Sequence, residues 1–152
     1  MSLRLRAADA ADRDLLFEWA NDGLVRANAF HTERIPYERH VRWFEKIMAD
    51  ADVLQYILCD GDVPVGQLRL NIEGTTAWID YSIAPGQRKK GYGGAMLCMM
   101  QEQLAADKTA RVTKAIGQVK YKNHASARAF ERCGFVRREL PEYLQYEWDV
   151  QK

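Results

Sequence analysis

The sequence has almost no excess of one charge sign. Its 152 residues include 22 Lys or Arg and 21 Asp or Glu, which gives a formal net charge of +1. General nucleic-acid-binding domains usually carry a strongly basic surface. We therefore expect no nucleic-acid partner, and any basic patch must be local.

Cysteines and long apolar runs are also scarce. The three cysteines, Cys59, Cys98 and Cys133, are odd in number and show no Cys-x-x-Cys spacing, so we predict neither a disulfide framework nor a metal site. Cys133 is expected to be a small core residue. The sequence shows no signal peptide and no apolar run of membrane-spanning length. These features favour a cytoplasmic protein with no metal and no membrane partner.

The remaining composition is that of one globular domain. The hydrophobic fraction is 47% and the charged fraction 28%, both ordinary values. Hydrophobic spacing predicts the order β-α-α-β-β-β-α-β-α-β-β, with residues 25–35 as a loop or a short helix and Gly66 at a β-bulge. The prediction is one α/β domain over residues 1–152, a central mixed sheet with helices on both faces.

The segment PGQRKKGYGGAM, residues 85–96, joins a predicted strand to a predicted helix. It contains three consecutive cations, followed closely by three of its four glycines: Arg88, Lys89, Lys90, Gly91, Gly93 and Gly94. Free amides at a helix N-terminus and the helix dipole both favour a bound anion. The spacing fits neither a P-loop nor the dinucleotide-binding Gly-x-Gly-x-x-Gly. We predict a phosphate site of another kind.

Two motifs point to the origin of that phosphate. Arg88-x-x-Gly91-x-Gly93 after a strand resembles the acetyl-CoA pyrophosphate loop of the GNAT acyltransferase superfamily. The segment NHASARAFERCGF is similar to that superfamily's Asn-x-x-Ala/Ser-x-x-x-aromatic-x-Lys/Arg-x-Gly-Phe motif; its members here are Asn123, Ser126, Phe130, Arg132, Gly134 and Phe135. The element order also matches the GNAT fold across nearly the whole chain. The resemblance implies the GNAT acyl-CoA N-acyltransferase fold, with acetyl-CoA as co-substrate.

The resemblance also implies which residues hold acetyl-CoA. Backbone amides of residues 88–93 would bind the pyrophosphate, and Lys89 or Lys90 would reach the 3′-phosphate. Pantetheine would pair with an open strand edge, and Asn123 would contact its arm or serve only as a helix cap. The expected cofactor-binding residues are Ser82, Ile83, Arg88, Lys89, Lys90, Gly91, Tyr92, Gly93, Gly94, Asn123, Ser126 and Phe130.

The second motif departs from the family at its aromatic position. GNAT enzymes often have a tyrosine general acid there, whereas this chain has Phe130. A thiolate leaves readily on its own, since a cysteine-like thiol has a pKa of about 8.5. Transfer therefore proceeds without a side-chain acid, or with Tyr121, Ser126 or a water in that role.

For the base, Asp80 in the segment AWIDYSI is the candidate. A carboxylate among apolar neighbours has a raised pKa that suits a base. The alternative is an ion pair with a neighbouring Lys or Arg. Glu73 and His31 are further candidates. The predicted catalytic residues are Asp80, Tyr121 and Ser126.

The N-terminal third would build the acceptor pocket. The pattern Trp-x-Asn-Asp…Val-Arg…Phe…Ile…His-x-x-Trp-Phe, from residue 19 to residue 44, resembles nucleotide-sugar N-acetyltransferases that act on a UDP-linked 4-amino sugar on the route to pseudaminic acid. Aromatic rings can stack on uracil and an arginine can hold a diphosphate. The expected acceptor-binding residues are Arg26, Phe30, His31, His40 and Trp43. Helix packing is the alternative role for Trp43, and a solvated charge that for Arg26.

The resemblance predicts an N-acetyltransferase that moves an acetyl group from acetyl-CoA to a primary amine, the 4-amino group of a UDP-linked amino sugar. Ribosomal-protein N-terminal acetyltransferases share parts of the pattern, so a peptide acceptor is one alternative. A catalytically degenerate acyl-CoA-binding module is another, favoured by Phe130. A monomer or a homodimer agrees with the sequence.

Overall fold

The computed structural model describes residues 2–107 and 111–150. Its strands are β1 Leu3–Ala7, β2 Val53–Asp60, β3 Val63–Glu73, β4 Thr76–Ile83, β5 Lys114–Val119, β6 Val136–Glu139 and β7 Leu144–Asp149. Its helices are α1 Arg13–Ala20, α2 Gly23–Asn28, α3 Tyr37–Ala49, α4 Tyr92–Ala106 and α5 His124–Arg132. None of the helices in these ranges has the length and hydrophobicity needed to cross a membrane.

The strands form one sheet in the order β1-β2-β3-β4-β5-β7-β6. All neighbours are antiparallel except β4 and β5, whose parallel pairing requires a crossover that α4 supplies. That pairing covers only Thr76–Ile79 against Lys114–Gly117. Beyond Ile79 the two strands separate, and β4 has an open edge.

Helices cover both faces of the sheet, as predicted. Ile57 and Leu58 are adjacent in β2 and both fully buried, because neighbouring residues of a strand point to opposite faces. Ile57 belongs to a core cluster with residues of α1 and α3, and Leu58 to a cluster with residues of α4 and α5. The predicted mixed α/β architecture is confirmed.

Two local predictions are also confirmed. Residues 23–28 form the short helix α2, whose N-cap Asp22 accepts a hydrogen bond from the Val25 amide at 3.2 Å. The β2–β3 register shifts beside Gly66, where a bulge was predicted. A Cβ on Gly66 would lie 2.9 Å from the Ser82 carbonyl oxygen, so only glycine fits between the two backbones.

The expectation that the cysteines form no disulfide was wrong. Cys98 of α4 and Cys133, at the end of α5, form a disulfide with their Cα atoms 5.8 Å apart. Cys133 is therefore a crosslink and not simply a small core residue, whereas Cys59 is a buried free thiol. The two partners are 35 residues apart in sequence. Only the side-by-side packing of α4 and α5 brings them together.

Candidate active site

A cavity of about 1090 Å³ connects the three regions that the sequence assigned to cofactor and acceptor. Its wall includes the loop before α4, the separated ends of β4 and β5, the start of α5, and residues of α1, α2 and α3. The cavity begins at the glycine loop and continues over the face of β2, β3 and β4. One continuous space can therefore hold both a phosphate-bearing molecule and a second molecule.

Left-handed backbone shapes the loop at the start of α4. Gly91, the N-cap of α4, has φ +83, and Lys89 has φ +65, a value uncommon outside glycine. A Cβ on Gly93 would lie 3.3 Å from Tyr81 Cε2, so glycine lets the first turn of α4 lie against β4. The turn presents unpaired amides, and these fit a pyrophosphate.

The three cations of this loop have different environments. Arg88 forms an ion pair with Asp22, and Lys89 lines the cavity. Lys90 donates from Nζ to Gln87 Oε1 at 3.1 Å and does not line the cavity, so Lys89 is the lysine placed to meet a phosphate. Burial raises the Asp22 pKa, but hydrogen bonds from Arg88 and the Val25 amide outweigh that effect and lower it.

Two other residues of the loop, Tyr92 and Gly94, have less contact with the cavity than predicted. The Tyr92 side chain is buried, and its hydroxyl donates to Asp60 Oδ2 at 2.6 Å at the β2–β3 turn. Only the Tyr92 backbone is available to a phosphate. Gly94 lies outside the cavity lining, and a Cβ there would meet Arg132 at 3.5 Å.

The free backbone groups at the open edge of β4 belong to Tyr81 and Ile83, whereas Ser82 and Ile83 were predicted. The Ala84 amide donates to the Val65 carbonyl at 2.8 Å, and antiparallel pairing alternates along a strand. The backbone groups of Ser82 therefore face β3, while those of Tyr81 and Ile83 face the open side. Ile83 agrees with the prediction; Ser82 does not, and Tyr81 was missed.

The start of α5 offers polar groups to the cavity. Asn123 caps α5, with its Oδ1 accepting the Ser126 amide at 3.3 Å. Its Nδ2 has no partner in the described part of the chain, so capping and ligand contact are compatible. Ser126 Oγ accepts a hydrogen bond from the Tyr81 hydroxyl at 2.9 Å. Burial, partly offset by Ser126, raises the pKa of Tyr81 to about 12.

Phe130 is a core residue that also borders the cavity. It is 2% exposed, and its ring stacks on Tyr146 with centroids 5.1 Å apart. A Cβ on Gly117 would lie 2.2 Å from Phe130 Cζ, so the ring requires glycine beneath it. Tyr81 packs edge-on against the same ring at 5.7 Å and brings a phenol into the vicinity. The sequence could have indicated this position, because side chains alternate along β4 and Tyr81 therefore lies on the face opposite Asp80.

Tyr121 does not belong to the site. Its side chain is exposed, lies outside the cavity lining, and donates from its hydroxyl to the Leu140 carbonyl at 2.5 Å. The prediction of Tyr121 as a proton donor was wrong because a turn after β5 carries it toward the β6–β7 connection.

Asp80 lines the cavity, but not among apolar neighbours. Its side chain is 51% exposed and accepts from Arg69 Nη2 at 2.8 Å and from Gln67 Nε2 at 3.2 Å. The expectation of apolar neighbours was wrong, and the ion-pair alternative describes the structure. Glu73 ends β3 outside the cavity lining. Asp80 faces the cavity as a hydrogen-bonded carboxylate.

The face of β2, β3 and β4 beneath α3 is a polar floor, which sequence reasoning missed. Its members line the cavity at alternating strand positions: Gln55, Gln67, Arg69, Asn71, Asp80 and Ser82. Trp43 of α3 lies over Arg69, with the guanidinium carbon 5.0 Å from the ring centroid. Sheet faces under helices are usually apolar, so this floor indicates a binding surface.

Two of the predicted acceptor-binding residues have structural roles instead. Arg26 donates from Nε to the Ala20 carbonyl at 2.7 Å and from Nη1 to the His31 carbonyl at 2.9 Å. His40 is 2% exposed and donates from Nε2 to the Arg13 carbonyl at 2.8 Å, and its burial lowers its pKa. Arg26 fixes the chain around α2, and neutral His40 joins α3 to α1.

Phe30, His31 and Trp43 do line the cavity, as expected. Phe30 is half-exposed and packs edge-on against Tyr143 at 5.5 Å. Arg39 of α3 also lines the cavity and has no hydrogen-bond or ion-pair partner within residues 2–107 and 111–150. Arg39 therefore has a guanidinium available to a ligand, the property that was expected of Arg26.

Fold and site together define an acyl-transfer class of protein, with a helix N-terminus whose free amides suit a phosphate beside a parallel strand pair that opens. Residues 2–136 match the family model described as "Acetyltransferase (GNAT) domain", so the chain belongs to the GNAT acetyltransferase domain family. It is an acetyl-CoA-dependent N-acetyltransferase, the enzyme class that the sequence predicted.

Solved structures share the fold at low sequence identity. A spermidine N-acetyltransferase from Vibrio cholerae, in complex with CoA and spermine, has a TM-score of 0.87 and 16% identity, covering 98% of this chain and 96% of that one. RimL, a ribosomal alpha-N-protein acetyltransferase, gives 0.85 and 16%, with 99% and 95% covered. AAC(6')-Ib with ribostamycin and coenzyme A gives 0.80 and 23%, with 95% and 93% covered. No curated protein sequence matches the chain.

Proposed function

We propose that this enzyme acetylates the 4-amino group of a UDP-linked amino sugar. The observation that carries the proposal is the polar floor of the cavity with aromatic side chains around it. Side-chain amides and a carboxylate can bond to the hydroxyls and the amine of a sugar, and Trp43, Trp78 and Phe30 offer apolar ring faces.

The charges of the cavity wall support an acceptor that carries phosphate. On the acceptor side three arginines, Arg26, Arg39 and Arg69, line the wall with two carboxylates, Glu33 and Asp80, and Asp80 is ion-paired with Arg69. Polycations such as spermidine or an aminoglycoside, which solved neighbours bind or acetylate, favour a carboxylate-rich site. The same surplus of cations disfavours the acidic groove that suits a peptide acceptor. A UDP diphosphate fits, with unpartnered Arg39 as its contact.

Residues of this chain fit acetyl-CoA along the other half of the cavity. The amides of the loop before α4 would hold its pyrophosphate and Lys89 its 3′-phosphate. The open backbone groups of Tyr81 and Ile83 would pair with pantetheine, and Asn123 Nδ2 would bond to the same arm. Acetyl-CoA supplies the acetyl thioester on which the acceptor amine acts.

Asp80 and Ser126 have the two proton roles in this proposal. The amine nitrogen forms a bond to the thioester carbonyl carbon as the carbon–sulfur bond breaks, and Asp80 takes the proton that the nitrogen loses, directly or through a water. Because the Asp80 side chain is 51% exposed, it can release that proton to solvent. Ser126, accepting from Tyr81, keeps its own O–H free to donate to the departing thiolate.

The first experiment measures release of free CoA thiol from acetyl-CoA, with a UDP-4-amino sugar as acceptor. UDP-N-acetylglucosamine, which has no free amine, is the control. Release that requires the amino sugar supports the proposal. Release only with peptide N-termini would replace it with the peptide alternative, and acetyl-CoA binding without release to any amine would favour a degenerate binding module.

A second test addresses Asp80. The substitution Asp80→Asn keeps the side-chain shape but removes the proton acceptor, so we expect kcat to fall roughly a hundredfold, the scale of one general base. The Kd for acetyl-CoA should not change. Asp62→Asn, in the exposed β2–β3 turn, is the control. An unchanged kcat would remove Asp80 as the base.

A further inference from the structure

Arg69, on the central strand of the polar floor, has most of its hydrogen-bond donors unpaired. Its Nη2 donates to Asp80 Oδ2 at 2.8 Å, whereas its Nε and Nη1 have no partner in the described part of the chain. An arginine side chain has five N–H donors and no acceptor. The side chain is only 19% exposed, so little of it is in contact with bulk water. Unpaired donors in this position indicate that a bound molecule supplies acceptors for them.

The unpaired nitrogens of Arg69 are accessible from the cavity. Among the residues that the structure describes, Gln55 Oε1 is the one fully buried side-chain nitrogen or oxygen without a partner. Nε and Nη1 of Arg69 are therefore not sealed inside the protein, and the residue lines the cavity wall. Trp43 contacts the guanidinium from α3, with the ring centroid 5.0 Å from the guanidinium carbon. This contact and the Asp80 ion pair hold the group in place before a ligand arrives.

These donors lie beside the carboxylate that receives the amine. Arg69 and Asp80 are directly opposite each other in the β3–β4 register, and the three guanidinium nitrogens are bonded to one carbon. The unpaired nitrogens are therefore separated from Asp80 only by the width of the guanidinium. Each Asp80 oxygen accepts a single bond, from Gln67 or from Arg69, so both retain a lone pair. An amine that meets Asp80 places the substituent on its neighbouring carbon within reach of Arg69.

We infer that Arg69 donates a hydrogen bond to an oxygen on the carbon next to the one that carries the acceptor amine, and that it thereby selects amines with such an oxygen. This rests on the proposed function in one respect, that Asp80 receives the amine. Because Arg69 can only donate, the oxygen must accept, and a hydroxyl, ether or carbonyl oxygen does so. An amino sugar with a hydroxyl beside its amine meets this requirement, whereas a polyamine without oxygen does not.

Two ring amines of matched shape test the selection. The first, trans-2-methoxycyclohexylamine, has the oxygen; the second, trans-2-ethylcyclohexylamine, has a methylene group in its place. The oxygen also lowers the pKa of the free amine, so kcat/KM is calculated for the neutral amine in each case. With acetyl-CoA as donor, the wild-type value should be at least about tenfold higher for the ether, the scale of one hydrogen bond to a charged group. Equal values would overturn the inference.

The substitution Arg69→Met removes the donors and keeps an unbranched side chain next to Trp43. We expect the preference for the ether to disappear, with an unchanged Kd for acetyl-CoA as evidence that the variant is folded. Loss of the ion pair with Asp80 affects both amines equally, so the ratio of their kcat/KM values isolates the contact with the oxygen. Arg42→Met, at an exposed position of α3 outside the cavity lining, is the matched control. An Arg69→Met variant that keeps the preference would contradict the assignment.

A binding measurement on the wild-type protein separates this inference from the proposed function. The side-chain Nε–H resonance of Arg69 is followed by ¹⁵N NMR as each probe is added to the protein with CoA bound. A shift with the ether and none with its ethyl analogue supports the role of Arg69. If the same protein transfers no acetyl group to a UDP-linked amino sugar, the proposed acceptor is wrong and the selection by Arg69 stands. Equal shifts with both probes, or no shift with either, would overturn the inference, whatever the turnover.

Discussion

Arg26 and Arg39 lie on the wall of the same cavity, and their partners give them opposite roles. Arg26 donates hydrogen bonds to the backbone carbonyls of Ala20 and His31. Arg39 lies on the exposed side of α3 without a partner in the described residues. An arginine already bonded to buried carbonyls is a structural element, whereas a free guanidinium can form paired bonds with a phosphate.

This difference predicts different effects of the same substitution. Arg39→Gln should raise the KM for a UDP-linked acceptor about tenfold, the effect of losing one charged hydrogen bond, and leave thermal unfolding unchanged. Arg26→Gln should lower the free energy of unfolding by about 2 kcal/mol, because it leaves carbonyls around α2 without donors. Steady-state kinetics and thermal denaturation of both variants check this. An Arg26→Gln protein of wild-type stability with a raised acceptor KM would exchange the two assignments.

At the scale of elements, α2 depends on contacts at its ends. It contains no buried residue, so hydrophobic burial contributes little to its position. Asp22 caps its first turn and pairs with Arg88 of the cofactor loop, and Lys120 donates to the Ala27 carbonyl at 3.3 Å near its last turn. The helix that covers the acceptor side of the cavity is therefore fastened to the cofactor side.

The substitution Asp22→Asn tests this link, because asparagine caps a helix as well as aspartate does but cannot form the ion pair. To reach the pyrophosphate in the wild type, Arg88 must break its partly exposed ion pair with Asp22, at a cost of about 0.5–1 kcal/mol. The variant does not have this cost, so we expect it to bind CoA about two- to fivefold more tightly. Isothermal titration with CoA measures the affinity. Pantetheine, which lacks the pyrophosphate, should show no change, and weaker CoA binding would mean that Asp22 orients Arg88 for the phosphate.

At the scale of the whole molecule, the site exists because one pair of strands opens. The sheet continues past β4 only for Thr76–Ile79, and α4 and α5 flank the gap on one face while α1, α2 and α3 border the cavity on the other side. The Cys98–Cys133 disulfide joins α4 to the end of α5. It therefore crosslinks the two helices that carry the cofactor half of the site.

A variant that cannot form this disulfide should be less stable than the wild type only under oxidising conditions, where the wild type has the crosslink. For a loop of 35 residues, chain entropy predicts a loss of about 3–4 kcal/mol in the Cys133→Ser variant. Chemical denaturation with and without a reducing agent measures it, and reduced wild-type protein should match the variant. Quantitative thiol alkylation of the unfolded wild type should find one free cysteine, Cys59; finding three would show that the bridge does not form.

The order of the elements and the glycine loop before α4 could be predicted because their signals are local. Hydrophobic period, the glycines at 91 and 93 and the Asn123 cap act within a few residues of themselves. Roles that depend on a partner could not be predicted in the same way. Tyr121 and His40 were misassigned because carbonyls far away in the sequence take their polar groups. Arg26 was misassigned because the chain around α2 folds so that nearby carbonyls take its donors.

The sequence by itself determined the fold class, the family and the position of the glycine loop before α4. Backbone conformation and helix or strand period depend on the residue and its near neighbours, and the sequence contains both. Only the tertiary structure decided that Asp80 pairs with Arg69, that Tyr81 reaches Ser126, that Gln55 keeps an unpaired oxygen and that Cys98 meets Cys133. These contacts join residues on different elements, and distances between elements are set by sheet register and helix packing, which no local pattern records.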